Sequence, residues 1–310
     1  MLIIGTILAI VILFFLLGKS ADIVVTQIRT LGHRFGIPLS FLGIVLGLLT
    51  MLPELSIGVN AVIENIPTVS LGNIWGGVIV IIGLIFGTSL LLNRRITTDG
   101  NIWHILPLFA FILLSFIFGL DGLISETDGL LFILIYLIFL SVIYTRFRKY
   151  EKPPENVKHK KLSKVVIHTV MGVIAVVILA KIIVSLSVEL LQAFEIPVFI
   201  IGLLMFSIGT NLPEIVVTIR SWRKHIKELS TGNLIGSAMA SPMIIGILAF
   251  LKPIPVAVDK SFYITAVFVA ILSTAFLIFY KTGKRLTNKE GAILISIYAL
   301  FVISQFLFGI

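Results

Sequence analysis

Apolar residues run in blocks of roughly 17 to 25 positions from one end of the chain to the other, each block followed by a short polar stretch. Blocks of this length cross a bilayer core of about 30 Å as helices. The pattern predicts ten spans, over residues 2–18, 38–62, 70–92, 103–120, 128–145, 165–187, 197–219, 231–251, 261–280 and 290–309. The fold class expected is therefore an all-α polytopic membrane protein. The longest polar stretch, RFRKYEKPPENVKHKKLSK at 146–164, separates five predicted spans from five. The halves are 1–145 and 165–310, with a basic linker between them. An odd number of crossings per half sends the second half through the membrane in the opposite sense, the layout of inverted-topology repeats.

The polar positions inside the blocks repeat as well. TMLPE at 50–54 returns as TNLPE at 210–214, and GNIWGG at 72–77 returns as GNLIGS at 232–237, both at an offset of 160 residues. Upstream, GIPLSFLG at 36–43 is echoed by EIPVFIIG at 195–202, the first repeat being one residue shorter between that glycine and its threonine. The repeated regions extend over 36–87 and 195–247.

Composition agrees with this picture, since 58% of the 310 residues are hydrophobic and 13% are charged, far from the balance of a soluble domain. The net charge of +9 is topological rather than a nucleic-acid footprint, because no basic stretch accompanies a folded soluble module. Lys19, Arg29, Arg34, Arg94, Arg95, the 146–164 stretch, and the groups at 220–227 and 281–289 fall in alternate loops. Glu64, Asp121, Glu126, Asp128, Glu189 and Glu195 fall in the others. The positive-inside bias thus predicts a multi-pass cell-membrane protein with basic loops in the cytoplasm and both termini outside. The chain has no cysteine, which excludes disulfides and thiolate metal sites. The first segment lacks a basic leader and a small-residue cleavage pattern, so it reads as a retained helix. His104 and His168 read as interfacial, Asp22 as solvated near the membrane, and Lys181 as snorkelling or, less simply, as a partner for a buried acid.

Glu54 and Glu214 are the acids that fall within spans at equivalent positions of the two repeats. A carboxylate at bilayer depth costs at least about 2.5 kcal/mol, so such residues face a protein interior and serve function. An axis relating inverted repeats brings equivalent points together near the midplane. Two carboxylates there must bind a metal ion, share protons, or do both in turn. The neighbours suit a hard cation, which prefers oxygen ligands. Pro53 and Pro213 free backbone carbonyls, and Thr50 and Thr210, four residues before each glutamate, lie on the same helical face. Gly72-Asn73 and Gly232-Asn233 would admit another helix at close range or cap one at mid-depth.

TNLPE and GNLIGS, duplicated in inverted halves of five helices, resemble the alpha repeats of the calcium:cation antiporter superfamily, most closely its prokaryotic sodium/calcium exchanger branch. The resemblance implies exchange of Ca2+ for Na+ or H+ by alternating access, with two loosely packed helices sliding against an eight-helix core. It implies Glu54 and Glu214 as principal ligands, Thr50 and Thr210 as oxygen partners, Ser237 as a further ligand and Ser207 as a carbonyl donor. Asn211 falls where the family usually has Ser, and Ser241 where Asp or Asn is common. In the first repeat, Met51 and Gly77 replace serines and Ile81 replaces a polar amide. These departures bear on the number of Na+ ions and leave H+ open as the coupling ion. The implied partners are inorganic cations and the lipid bilayer, with no nucleic acid, no resident cofactor and a monomer expected. An exchanger of another divalent cation, a cation channel and an intramembrane hydrolase are the competing readings. An inverted repeat within one chain suits alternating access better than a symmetric pore, and no His-Glu-x-x-His or Gly-x-Ser-x-Gly hydrolase motif occurs.

Overall fold

The computed structural model describes residues 2–63, 67–93, 95–97, 102, 105–150, 161–192, 207–282 and 285–308. Expectations that rest on Glu64, His104, linker residues 151–160, Glu195 and the 195–206 start of the second repeat lie outside the described residues. The elements are α1 (Leu2–Phe35), α2 (Leu39–Thr50), α3 (Leu52–Ile63), α4 (Pro67–Ile79), a π-helical turn (Val80–Phe86), α5 (Gly87–Asn93), α6 (Leu106–Phe118), α7 (Glu126–Tyr150) and α8 (Leu162–Gln192). After them come α9 (Ser207–Gly209), α10 (Leu212–Arg223), α11 (Lys227–Leu251), α12 (Lys260–Lys281) and α13 (Asn288–Phe308). Taking interrupted helices as one, these make ten helical segments among the described residues, of which eight are long and apolar enough to span a membrane.

The first helix runs well past its predicted end at residue 18. Lys19, Asp22, Arg29 and Arg34 are polar without being helix breakers. The helix stops only at Gly36, which takes φ +60°, while the Ile37 amide donates to Gly32 O at 2.9 Å. This is the glycine-terminated closure that the left-handed region permits.

The described residues form two compact units, each drawing on both sequence halves: 1–53 with 142–237, and 54–141 with 238–310. In the first unit, Leu17, Ala21, Val24 and Val25 of α1 share an apolar core with Val173, Val176 and Ile183 of α8 and with Val217, Ile226 and Leu229. The opposite face of α1, including Leu8, Val11 and Phe15, is exposed, as a lipid-facing surface requires. Asp22 is not simply solvated. It pairs with Arg220 at 3.0 Å and Lys224 at 3.4 Å, and Lys224 Nζ also donates to Asp22 O and Thr26 Oγ1. Lys181 is exposed on α8, in keeping with snorkelling.

In the second unit, Trp75 stacks on Phe116, meets Phe262 edge-on and donates from Nε1 to Ser115 Oγ at 3.0 Å. Two short antiparallel pairs carry the internal repeat into three dimensions. β1 (Arg95–Thr97) pairs with β4 (Arg285–Thr287), and β2 (Leu123–Ile124) pairs with β3 (Ile254–Pro255). An offset close to that of the sequence repeat carries β1 onto β3 and β2 onto β4. The following helices begin alike. Ser125 N and Oγ donate to Asp128 Oδ2 before α7, and Thr287 N and Oγ1 donate to Glu290 Oε2 before α13. Such reciprocal caps satisfy amide donors that the first helical turn leaves open.

Candidate functional site

Both Thr-x-Leu-Pro-Glu motifs open the helix that carries them, and they do so at the same residue. Met51 has φ −83° and ψ 9° between α2 and α3, and Asn211 has φ −88° and ψ 10° before α10. These values fall in the sparsely occupied bridge region. Pro53 and Pro213 then stand in the first turn of the new helix, where a missing amide proton leaves no bond unmade. The expectation that each threonine shares a helical face with its glutamate is thereby corrected. Thr50 ends one helix and Glu54 stands in the first turn of the next, with Thr210 and Glu214 separated in the same way. Each glutamate sits at a helix N-terminus, where the backbone dipole favours negative charge.

In the first unit, Glu214 is 0% exposed. Ser237 Oγ donates to Glu214 Oε1 at 3.1 Å and also lies 3.2 Å from Gly47 O. The Thr50 hydroxyl, from the first repeat, lies near the same carboxyl and donates to Gly47 O at 3.0 Å. Asn211 Nδ2 donates to Ser207 O at 2.7 Å instead of capping α10. Glu214 Oε2 and Asn211 Oδ1 are buried and accept no hydrogen bond among the described residues. The chain therefore brings Thr50, Ser237 and Glu214 together around Gly47 O and, separately, Asn211 onto Ser207, with Thr210 buried beside Asn211 in sequence. Orphaned buried acceptors destabilise a fold unless a donor or cation meets them.

The second unit holds Glu54 and Ser241, each 1% exposed. Glu54 lies one turn before Gly58, whose hypothetical Cβ would come 2.5 Å from Leu248 of α11 and 3.1 Å from Ser70 Oγ, so α3 packs closely here. Ser241 precedes Pro242, which stands inside α11 and leaves the Ala238 carbonyl without its helical donor. At the equivalent place in the first repeat the chain adopts the π-helical turn Val80–Phe86. Met51 and Ile81, two of the first-repeat departures, are buried apolar side chains. Among the described residues no group of three or more His, Cys, Asp or Glu stands together.

The family model for sodium/calcium exchanger proteins matches residues 5–145 and 164–307. The chain belongs to the sodium/calcium exchanger family. Among relatives, it is 27% identical over 339 residues to the sodium/calcium exchanger MaX1 of Methanosarcina acetivorans, covering 94% of this chain and 95% of that one. It is 27% identical over 254 residues to the inner membrane protein YrbG of Escherichia coli, covering 76% of each chain. Its fold matches that of the sodium-calcium exchanger NCX_Mj soaked with Na+ and Sr2+, with a TM-score of 0.83 at 21% identity over 97% of this chain and 99% of that one. It is a multi-pass membrane transporter and not an enzyme.

In this exchanger-family chain, glycines seat the helix that carries Ser237 directly against α2. Gly43 and Gly47 of α2 meet Gly232 and Gly236 of α11 backbone to backbone. A Cβ on Gly47 would stand 2.4 Å from Asn233 O, and one on Gly236 would stand 2.5 Å from Ile44 Cα. Two Gly-x-x-x-Gly ridges thus face each other, the packing that small residues allow in a membrane. Gly43 and Gly47 are visible in the sequence, but only the fold supplies their partners. Gly72, the first-repeat counterpart of Gly232, is exposed with no described atom near its Cβ position. Only one of the two Gly-Asn pairs therefore admits a close helix, and both α4 and α11 continue through their asparagines without a cap.

Proposed function

We propose that this protein is an antiporter that moves Ca2+ in exchange for Na+ or H+ by alternating access, with Glu54 and Glu214 as the principal cation ligands. The observation that carries the reading is the pair of oxygens, Glu214 Oε2 and Asn211 Oδ1, three residues apart at an opened helix, buried and without a donor among the described residues. A buried carboxylate without a compensating partner costs several kcal/mol, roughly 3 to 5 where a paired group has lost its counter-charge. A hard cation supplies that compensation and takes about six to eight oxygens.

On this reading Thr50, Thr210, Asn211, Ser237 and Ser241 contribute side-chain oxygens, and Ser207 contributes its carbonyl. The symmetry of the two motifs assigns Glu54 the role of Glu214 in the first repeat. The apolar residues at Met51 and Ile81, with Gly77, remove oxygens from that repeat. Their loss favours a smaller Na+ count than a fully polar pair of repeats would give, or H+ as the counter-ion. The charge bias supports basic loops in the cytoplasm and both termini outside.

Radiocalcium uptake into proteoliposomes, with Na+ and pH gradients imposed separately, tests the proposal. Uptake against the Ca2+ gradient driven by either counter-ion supports exchange and names the ion. Downhill Ca2+ leakage that neither gradient accelerates would indicate a channel, and no flux under any gradient would contradict the cargo.

A further inference from the structure

Six hydroxyls on α1, α8 and α13 are satisfied within their own helices. Thr26, Thr30, Thr169, Ser185, Ser296 and Ser304 each donate to the carbonyl four residues earlier, at 2.7 to 3.1 Å. This is the usual arrangement for Ser and Thr in apolar helices. One group of hydroxyls in the first unit departs from it. Thr218 and Ser221 of α10 and Ser230 of α11 are 3%, 0% and 0% exposed, yet their oxygens make no hydrogen bond among the described residues. Both polar atoms of Asn233, 0% exposed, are likewise unpartnered.

These four residues are in register. The bond from Ser237 to Glu214 joins α10 to α11 across the turn Lys224–Ile226, at positions almost equally far from that turn, so the two helices form a hairpin. A step of four residues along each helix toward the turn leads from Glu214 to Thr218 and from Ser237 to Asn233. A further step of three leads to Ser221 and to Ser230. Steps of four and three keep one helical face. The polar rungs thus continue from the Glu214 carboxyl for about 10 Å toward the basic end of the hairpin. A seam that merely glued two helices would use its hydroxyls in interhelical bonds. This one leaves them open.

We propose that Thr218, Ser221, Ser230 and Asn233 line a lane by which partly hydrated cations travel between Glu214 and the Lys224–Ile226 end of the hairpin, and that the described state holds this lane shut. The proposal rests on the cation-exchange reading and assigns its access route on one side of the membrane. Hydroxyl and amide oxygens replace the water that a cation sheds, while the absence of charge along the rungs keeps it from being trapped before it reaches Glu214.

The cysteine-free chain allows a direct test. Single variants Thr218→Cys, Ser221→Cys and Ser230→Cys, which are close in size to the native residues, are reconstituted and exposed to a small membrane-impermeant cationic thiol reagent. Exposed Glu228, changed to Cys, marks the side of the turn, and buried apolar Val217, changed to Cys, is the unreactive control. The lane predicts that the three rung thiols react from the side that labels position 228, that saturating Ca2+ suppresses the reaction, and that position 217 stays unlabelled. Unreactive rung thiols in a protein that transports Ca2+, or reaction from the opposite side, would overturn the lane and leave the exchange reading intact. Reactive rungs in a protein that neither transports Ca2+ nor is protected by it would support a hydrated lane and overturn Ca2+ as its cargo.

Discussion

Ser237 Oγ stands 3.1 Å from Glu214 Oε1 and 3.2 Å from Gly47 O. A hydroxyl has one proton, so it serves the carboxylate or the carbonyl at any moment. If Glu214 engages a cation as proposed, the proton is free to turn to Gly47 O and leave the serine oxygen facing the ion. A hydrogen bond to a charged group contributes about 1.5 to 3 kcal/mol, equivalent to roughly ten-fold to a hundred-fold in affinity. Ser237→Ala is therefore expected to raise KM for Ca2+ by about ten-fold or more. Initial-rate radiocalcium uptake measures it. An unchanged KM would mean that the serine only packs.

The facing glycines of α2 and α11 set a stability contrast. Gly47→Ala and Gly236→Ala each drive a methyl into backbone atoms within 2.4 to 2.6 Å, and overpacking of this kind costs about 1 to 3 kcal/mol or more. Both should lower the apparent Tm in detergent by several degrees. Gly72→Ala meets nothing within 4 Å and replaces a poor helix former with a good one, worth up to about 1 kcal/mol. Its Tm should hold or rise. A fall at Gly72 equal to that at Gly47 would contradict the packing described.

Asp22 ties α1 to the end of α10 through Arg220 and Lys224, but all three side chains are about a third exposed. Pairs this accessible contribute about 0 to 1 kcal/mol and weaken as salt screens them. Asp22→Asn should lower Tm slightly at low ionic strength, and the difference should vanish in concentrated salt. A large loss insensitive to salt would show that Asp22 does more than form exposed ion pairs.

The helix count and the two glutamates were legible because each left a mark in one dimension: apolar blocks of spanning length, and a motif repeated at one offset. Ser237 is singled out by the family resemblance and not by the repeat, which has Gly77 at its place. The break at Met51 and Asn211 was not legible, since the proline suggested the opening without locating it two residues earlier. Nor does anything in VIIGLIF announce a π-helical turn. The contacts of Gly47 with Asn233 and of Asp22 with Arg220 join residues nearly two hundred positions apart, and only folding pairs them. The capping boxes at Ser125 and Thr287 are readable in the sequence as Ser-x-x-Asp and Thr-x-x-Glu before apolar runs.

In the proposed function, Glu54 and Glu214 hold the transported cation. Conversion of each carboxylate to the isosteric amide, Glu54→Gln and Glu214→Gln, removes one negative charge and keeps the shape, so radiocalcium uptake by folded, monodisperse protein in proteoliposomes is the most direct measurement. Either substitution is expected to abolish uptake while elution profile and Tm stay near those of the native chain. Uptake at the native rate by either variant would contradict it.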